Sequence, residues 1–381
     1  MVHIENRNLY RLTRFVIFKI SFLFRLFAIF RKDEKRLLII KTDAIGDYIL
    51  FRNFIEVLKA SEKYKGYQVD LLGNLVWQDL ALKLDAAFIN EFLFIKPLDL
   101  YEAPLKTLKL GWRLLKRNYE AVLCPAYTRT FINDGIAALT AAKQIIGFDG
   151  DTELIYAKYK KRTDKFYTQK LSLPASVYFE FDRNRFFFEN ILDLRIALPG
   201  PFIKNDNRFR NGITIFPGAG TVKRSWEPAK FVELIKLIKK HTDEPIYLAG
   251  GTSEIAAGNY IVENLPPQTL NNLIGKTTLP KLVELTGNSV LIIANETSAV
   301  HIAAAVQTKA VCILGGGHFE RFAPYPTYVK SKPLCVFEKM DCYYCNWNCI
   351  FPTEQFAPHP CVSNVSLESV WLATQQMLAA V

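Results

Sequence analysis

Residues 37–50 read LLIIKTDAIGDYIL: a short apolar run breaks into a small-residue turn, and a Gly-Asp pair then opens a helix. The run Leu37-Leu38-Ile39-Ile40 has the length and composition of a strand buried on both faces. Gly46 lets the backbone approach a ligand. Asp47 falls in the first turn of a helix carried on by Phe51, Phe54, Ile55 and Leu58 at helical spacing. One carboxylate is thereby expected at the carboxyl end of a parallel strand, where open α/β sheets bind ligands. The plainer alternative is that Asp47 only complements the helix dipole.

The same alternation runs outward from this stretch. Residues 67–72, 92–95 and 121–124 read as strands, with helices over 105–115 and 135–142. Residues 151–173 are polar and rich in lysine and tyrosine, and read as a loop or insertion facing solvent. Residues 180–192 read as a helix. A connector, 198–211, follows with two prolines and a glycine. Strands at 212–216, 245–248, 290–294 and 310–314 then alternate with helices at 228–239, 251–264, 279–285 and 298–305. The expected fold is α/β, with two Rossmann-like domains facing each other across a cleft. Its parts are residues 1–36, an N-terminal domain 37–200, a C-terminal domain 201–365 and a terminal helix 366–381 that Ser366 caps.

At 381 residues, half of them hydrophobic, the chain is too long for one small core and too apolar to be disordered. Its net charge of +11 is uneven: residues 1–36 carry nine Lys/Arg against three Asp/Glu, +6, leaving +5 for the other 345 residues. That excludes a chain-wide nucleic-acid surface. Residues 9–32, LYRLTRFVIFKISFLFRLFAIFRK, place Arg11, Arg14, Arg25 and Lys32 within about 60° of one another on a helix, Lys19 lying to one side. A narrow basic stripe on a wide apolar face suits a helix lying on an anionic membrane surface. A core helix, a signal anchor and an organellar presequence are the alternatives. With no small-residue cleavage site and no secreted disulfide pattern, a peripheral place on the cytoplasmic side is expected.

Two later motifs carry chemistry. In FPGAGTVKRSWEPAKF, residues 216–231, a strand ends in Pro217-Gly218-Ala219-Gly220-Thr221, and Lys223 follows. Accessible backbone N–H groups with a nearby cation are what a diphosphate needs, although glycine-rich turns with surface lysines are ordinary in α/β folds. The motif is neither Walker A nor GxGxxG. In IIANETSAVHIAAA, residues 292–305, a buried strand delivers Asn295, Glu296, Thr297 and Ser298, with His301 on the next helix. Glu296 could accept hydrogen bonds from sugar hydroxyls. His301 also reads as a packed histidine bonded to a backbone carbonyl. A dehydrogenase reading would rest on Gly315-Gly316-Gly317 alone.

Together these segments resemble glycosyltransferase family 9, the bacterial heptosyltransferases of lipopolysaccharide core assembly. KTDAIGD matches the family's N-terminal strand and turn. PGAGTVKRSW matches a Pro-Gly turn leading to Lys and Trp. GKTTL, residues 275–279, precedes ANETSAVHIAAA as Gly-Lys/Arg-Thr-x-Leu precedes Asp-(Thr/Ser)-Gly-x-x-His in the family. The resemblance implies a GT-B fold and metal-independent, inverting transfer of a sugar from a nucleotide diphosphate, needing no cofactor. It implies Asp47 as catalytic base, and Lys223, helped by Thr221 and the Gly218–Gly220 turn, as neutraliser of the leaving diphosphate. It places Glu254 near the donor ribose and Glu296, Thr297, Ser298 and His301 in the donor site. Where the family has Asp-(Thr/Ser)-Gly this chain has Glu296-Thr297-Ser298, which crowds the sugar pocket.

The implied partners are a nucleotide diphosphate-sugar, ADP-heptose being one candidate, and a lipid-linked or lipopolysaccharide-core acceptor. The implied place is the cytoplasmic face of the bacterial inner membrane. The rival expectations are a catalytically silent, membrane-bound assembly partner and a GT-B sugar-nucleotide epimerase or hydrolase. Separately, Cys342, Cys345, Cys349 and Cys361 form C-x2-C-x3-C-x11-C. That spacing is open to a structural zinc, to reduced thiols or to disulfides, none of them catalytic. Cys124 and Cys312 fall in expected strands and read as core residues.

Overall fold

The computed structural model describes residues 3–29, 31, 34–206 and 209–379. The chain divides into two compact units. The first takes the chain up to Val177 together with Asp182–Ile196. The second takes Tyr178–Phe181 and the chain from Ala197 onward.

The first unit holds a parallel sheet of β1 (Glu34–Lys41), β2 (Gln68–Asn74), β3 (Glu91–Ile95), β4 (Tyr119–Cys124), β5 (Gln144–Phe148) and β6 (Gln169–Leu171), in the order β3-β2-β1-β4-β5-β6. The second holds β7 (Ile213–Phe216), β8 (Ile246–Leu248), β9 (Asn271–Asn272), β10 (Leu291–Asn295), β11 (Lys309–Ile313) and β12 (Leu334–Val336), in the order β12-β11-β10-β7-β8-β9. Counted from its own first strand, each sheet runs 3-2-1-4-5-6, the doubly wound order. The crossovers reverse between β1 and β4 in one unit and between β7 and β10 in the other. A crevice is left at the carboxyl ends of those pairs.

The apolar runs account for the centres of both sheets. Leu37, Leu38, Ile39 and Ile40 are completely or almost completely buried, and β1 pairs with β2 from Arg36↔Gln68 to Lys41↔Gly73. Burying each such side chain is worth roughly 2 kcal/mol of transfer free energy. β10 pairs with β7 from Leu291↔Ile213 to Ala294↔Phe216 and is buried throughout. Glu180–Leu192 is helical, and Leu367–Ala379 is capped by the Ser366 hydroxyl, which accepts from Ser369 N–H at 3.1 Å.

Two local expectations need correction. The helix expected over 135–142 spans Phe131–Leu139, because Thr130 caps it by accepting from Asn133 N–H, and Ala141 takes a left-handed backbone after it. Residues 151–173 are not a solvent-facing loop. They form the helix Ala157–Thr163 and the edge strand β6, with Tyr159 and Thr163 buried. A buried ion pair, Arg129 to Asp134 at 2.7 Å, holds them down. Asp134 also accepts from Thr163 Oγ1 and Tyr167 Oη, both at 2.6 Å, and Arg129 donates to Asp164.

The basic N-terminal segment is helical from Arg7 to Ala28, with one π-helical stretch at Val16–Ile20; Lys32 lies outside the described residues. One face packs into the first unit: Ile17 fits over Gly135, where an added Cβ would meet its side chain at 2.5 Å, and Phe24 lies 5.8 Å from Trp112. The core-helix alternative thus holds for this face. The opposite face leaves Leu12, Phe15, Phe22, Leu26 and Phe27 exposed, Phe27 by 68%. No helix among the described residues is long and apolar enough to cross a membrane.

Removing one partner of a buried pair leaves its neighbours' charge and polar groups without compensation. Asp134→Ala should therefore lower the urea-unfolding free energy by about 3 kcal/mol. An unchanged midpoint would show that the pair does not hold the 151–173 segment in place.

Candidate functional site

In the second unit the expected donor-site residues fall at the carboxyl ends of three adjacent strands, β8, β7 and β10. After β7 the chain turns through Pro217–Thr221, with Gly220 at φ +74°, a backbone that favours glycine. Gly218 is required for a second reason. A Cβ there would lie 2.0 Å from Glu254 Cγ, so the Glu254 side chain lies directly against this turn. Glu254 is held by the Gly251 N–H and the Ser253 hydroxyl, each donating to its carboxylate at 2.6 Å. The turn and the carboxylate the sequence separates by 36 residues are thus neighbours.

The turn is fixed from β10 by Asn295, a strand-end residue to which the sequence alone assigns no role. Asn295, fully buried, donates from Nδ2 to the Pro217 carbonyl at 2.6 Å and accepts at Oδ1 from Trp226 N–H at 2.9 Å. Trp226 is itself buried, donating from Nε1 to the Val365 carbonyl. Its place after Lys223 is therefore a packing requirement. The signal for Asn295 was a polar residue ending an otherwise apolar strand.

Glu296 follows directly and is only 6% exposed; among the described residues its Oε2 has no hydrogen-bond partner. Burial pushes its carboxyl up to about 7, against the pull of Arg224. The Arg224 guanidinium lies 4.4 Å from the centre of the Trp347 ring. Thr297 caps the helix Ser298–Ala305 through Ala299 N–H, and Ser298 opens that helix. His301 is buried and neutral, its pKa lowered to about 4 by desolvation, with Nδ1 2.7 Å from the Tyr325 hydroxyl and its ring stacked on the tyrosine. Its surroundings are those of a packed histidine, with a tyrosine hydroxyl where a backbone carbonyl was expected.

Lys223 is engaged by the chain near the C-terminus. Its ammonium donates to Thr353 Oγ1 at 2.8 Å and to the Thr353 and Glu354 carbonyls, while His359 N–H donates to the Lys223 carbonyl. The preceding Cys-rich segment rests on Gly315, Gly316 and Gly317. Added Cβ atoms there would lie 2.7, 2.2 and 2.2 Å from Trp347, Tyr343 and Trp347 in turn. These glycines thus seat aromatic rings. Cys342, Cys345, Cys349 and Cys361 are free thiols, as are Cys124 and Cys312 in their strands. Among the described residues no group of three or more His, Cys, Asp or Glu is arranged to hold a metal ion. Aromatic packing, together with the Tyr344 and Asn346 N–H bonds to Gly316 and Gly317, holds this segment.

In the first unit Asp47 lies in the first turn of the helix Ile45–Phe51, half-buried, after the carboxyl end of β1. The same end is tied together by Asn74 Nδ2 donating to the Thr42 carbonyl and Trp77 Nε1 donating to the Asp43 carbonyl.

The Glu296 carboxyl titrates near 4.5 when unfolded and about 7 when folded. The folded state holds that proton more tightly, so the stability linked to it is full below pH 4.5 and lost as pH rises through 7. The complete loss is about 3 kcal/mol. Wild type should lose unfolding free energy between pH 5 and pH 8 relative to Glu296→Gln, which stays neutral; parallel pH profiles would contradict this. Gly218→Ala, which displaces Glu254, should weaken nucleotide binding about tenfold. Calorimetric titration reads it, and an unchanged affinity would separate Glu254 from the ligand.

Comparison with known proteins gives the fold and the family. The structure resembles ADP-heptose lipopolysaccharide heptosyltransferase II of E. coli, with a TM-score of 0.68 at 17% identity over 91% of this chain and 99% of the other. It resembles a family 9 glycosyl transferase from Veillonella parvula at the same TM-score, 0.68, with 16% identity over 92% of this chain and 98% of that one. E. coli heptosyltransferase WaaC with ADP-2-deoxy-2-fluoro heptose gives a TM-score of 0.62 at 16% identity, over 91% and 99% of the two chains. At such identities the likeness is one of fold. In sequence, the chain is 29% identical to lipopolysaccharide heptosyltransferase 3 of Escherichia coli over 107 residues, 28% of this chain and about a third (32%) of that protein. Residues 107–342 match glycosyltransferase family 9 (heptosyltransferase), and this span takes in both the Pro217–Lys223 turn and the Glu296–His301 segment. With more than half of its length inside that match, the protein belongs to glycosyltransferase family 9.

Proposed function

We propose that the protein is an inverting glycosyltransferase that moves a sugar from a nucleotide diphosphate to a hydroxyl of a lipid-linked or lipopolysaccharide-core acceptor, without a metal ion. The observation that carries the reading is the joint placement of the Pro217–Thr221 turn, Glu254 and Glu296 at three adjacent strand ends, fixed by Asn295. Heptose is the sugar, and ADP the nucleotide, that the family and the WaaC complex favour. The lipopolysaccharide-core acceptor is supported by the lipopolysaccharide heptosyltransferase 3 relatives.

In this mechanism Asp47 takes the proton from the acceptor hydroxyl as its oxygen attacks the anomeric carbon. The bond from that carbon to the diphosphate oxygen breaks, and both bonding electrons leave with the diphosphate. Charge gathering there is met by Lys223, by the Thr221 hydroxyl and by N–H groups of the glycine turn. Lys223 exchanges the Thr353 hydroxyl and the Thr353 and Glu354 carbonyls for phosphate oxygens as it does so. Glu254 accepts from the ribose hydroxyls. Glu296, half protonated near pH 7, can donate to one sugar hydroxyl as well as accept from another. The exposed apolar face of the N-terminal helix, flanked by Arg11, Lys19 and Arg25, rests on the cytoplasmic surface of the inner membrane, where such an acceptor lies.

A general base contributes about 10²–10⁴-fold, so Asp47→Asn should lower kcat by at least about a hundredfold and leave donor affinity within about twofold. Lys223→Ala should weaken both donor binding and turnover. Single-turnover transfer with calorimetry reads the two effects separately, and normal transfer by the Asn variant would remove Asp47 from the chemistry.

A further inference from the structure

The transfer chemistry proposed above uses neither the lysine- and tyrosine-rich stretch 151–173 nor the first turns of the N-terminal helix. In the first unit they meet. A cavity of about 510 Å³ opens between them, and among the described residues that line it no side chain is acidic. Arg7, Arg11 and Arg14 reach it from one face of the helix Arg7–Phe15, at i, i+4 and i+7, and Lys158 reaches it from the helix Ala157–Thr163.

Tyr10, Tyr156 and Tyr159 hold two of these cations, Arg14 and Lys158, in place. The Arg14 guanidinium lies 5.1 Å from the Tyr10 ring centre and donates to the Tyr159 hydroxyl at 2.7 Å. The Lys158 ammonium lies 5.1 Å from the Tyr159 ring centre and 5.8 Å from that of Tyr156. The nearby Glu102 carboxylate is turned to the backbone N–H groups of Glu5 and Asn6, at 2.6 and 2.8 Å. Four cations around one opening repel one another, and a bound anion relieves that repulsion. Oxygen-rich phosphate suits them, since arginines bind it by paired donors and tyrosines add hydroxyls.

What the anion is attached to follows from the rest of the helix. Leu12, Phe15, Phe22, Leu26 and Phe27 stand exposed on the same helix, and Leu12 and Phe15 lie within a turn of Arg11 and Arg14. A basic cavity bordered by exposed phenylalanine and leucine matches the boundary between headgroups and acyl chains. We propose that this cavity binds the phosphate of an anionic phospholipid headgroup while the adjoining apolar face enters the acyl layer. This rests on reading the helix as a membrane face, as above.

The test is cosedimentation of the full chain with phosphatidylglycerol–phosphatidylcholine vesicles and with phosphatidylcholine alone. Nucleotide affinity, measured in parallel, shows that each variant is folded. Arg11→Ala with Lys158→Ala removes two cavity cations; Lys19→Ala with Arg25→Ala removes two from the same helix outside the cavity. The cavity pair should weaken binding to anionic vesicles about tenfold more than the control pair, and millimolar inorganic phosphate should not release the protein. Equal losses would reduce the effect to diffuse surface charge and overturn the cavity. Release by inorganic phosphate would assign it to a soluble ligand and overturn the lipid. Wild type binding both vesicles alike would overturn the cavity and leave the membrane face. Binding to neither, with nucleotide still bound, would overturn both and leave the transfer reading standing.

Discussion

The buried carboxamide of Asn295 is the interaction on which the candidate site depends. It joins the end of β10 to the turn after β7 by donating to the Pro217 carbonyl, and to the next helix by accepting from Trp226 N–H. Each of these backbone groups would cost about 1–3 kcal/mol if left buried and unpaired. An aspartate there would present no donor to the carbonyl, and an aliphatic residue would satisfy neither. With the turn held, Gly218 fits against Glu254, and the next residue, Glu296, is carried into a buried position opposite Arg224. Trp226 passes the constraint on to the Val365 carbonyl, so the chain near the C-terminus is tied to the same point.

Much of this was legible because parallel α/β sheets write themselves plainly. Strands buried on both faces are continuous apolar runs, and LLII and LIIA could be little else at that length. The strand-end motifs were legible because α/β folds place ligands there. What escaped the sequence depends on partners distant in the chain. The helix Ala157–Thr163 carries only Tyr159 and Thr163 inward, too few for a periodic signal among its lysines, and it is held by Arg129 and Asp134 from elsewhere. Lys223 reads as a free cation until Thr353 and Glu354 are found around its ammonium. His301 and Tyr325 likewise meet only after folding. Cysteine spacing fits a metal site, yet the aromatic residues between them, Tyr343 and Trp347, decide how the segment sits on the triple glycine.

The N-terminal helix shows how one sequence pattern can serve two surfaces. Periodicity finds its basic edge and its wide apolar arc but cannot divide that arc. The structure divides it: Ile17 and Phe24 go into the protein, Phe15, Phe22 and Phe27 go out. The packed half fixes the helix to the first unit through Gly135, so the outward half and the arginines beside it are presented rigidly. A preformed surface loses less conformational freedom on binding than a helix that folds there.

The central claim is that the strand ends of the second unit bind a nucleotide diphosphate-sugar. Its most direct test is metal-free calorimetric titration of the folded protein with a panel of nucleoside diphosphates and their sugars, alongside Asn295→Ala. The account predicts that one nucleotide binds at one site per chain, more tightly when it carries one particular sugar, and that Asn295→Ala weakens this by about tenfold or more. Absence of binding across the panel by a demonstrably folded wild type would contradict it.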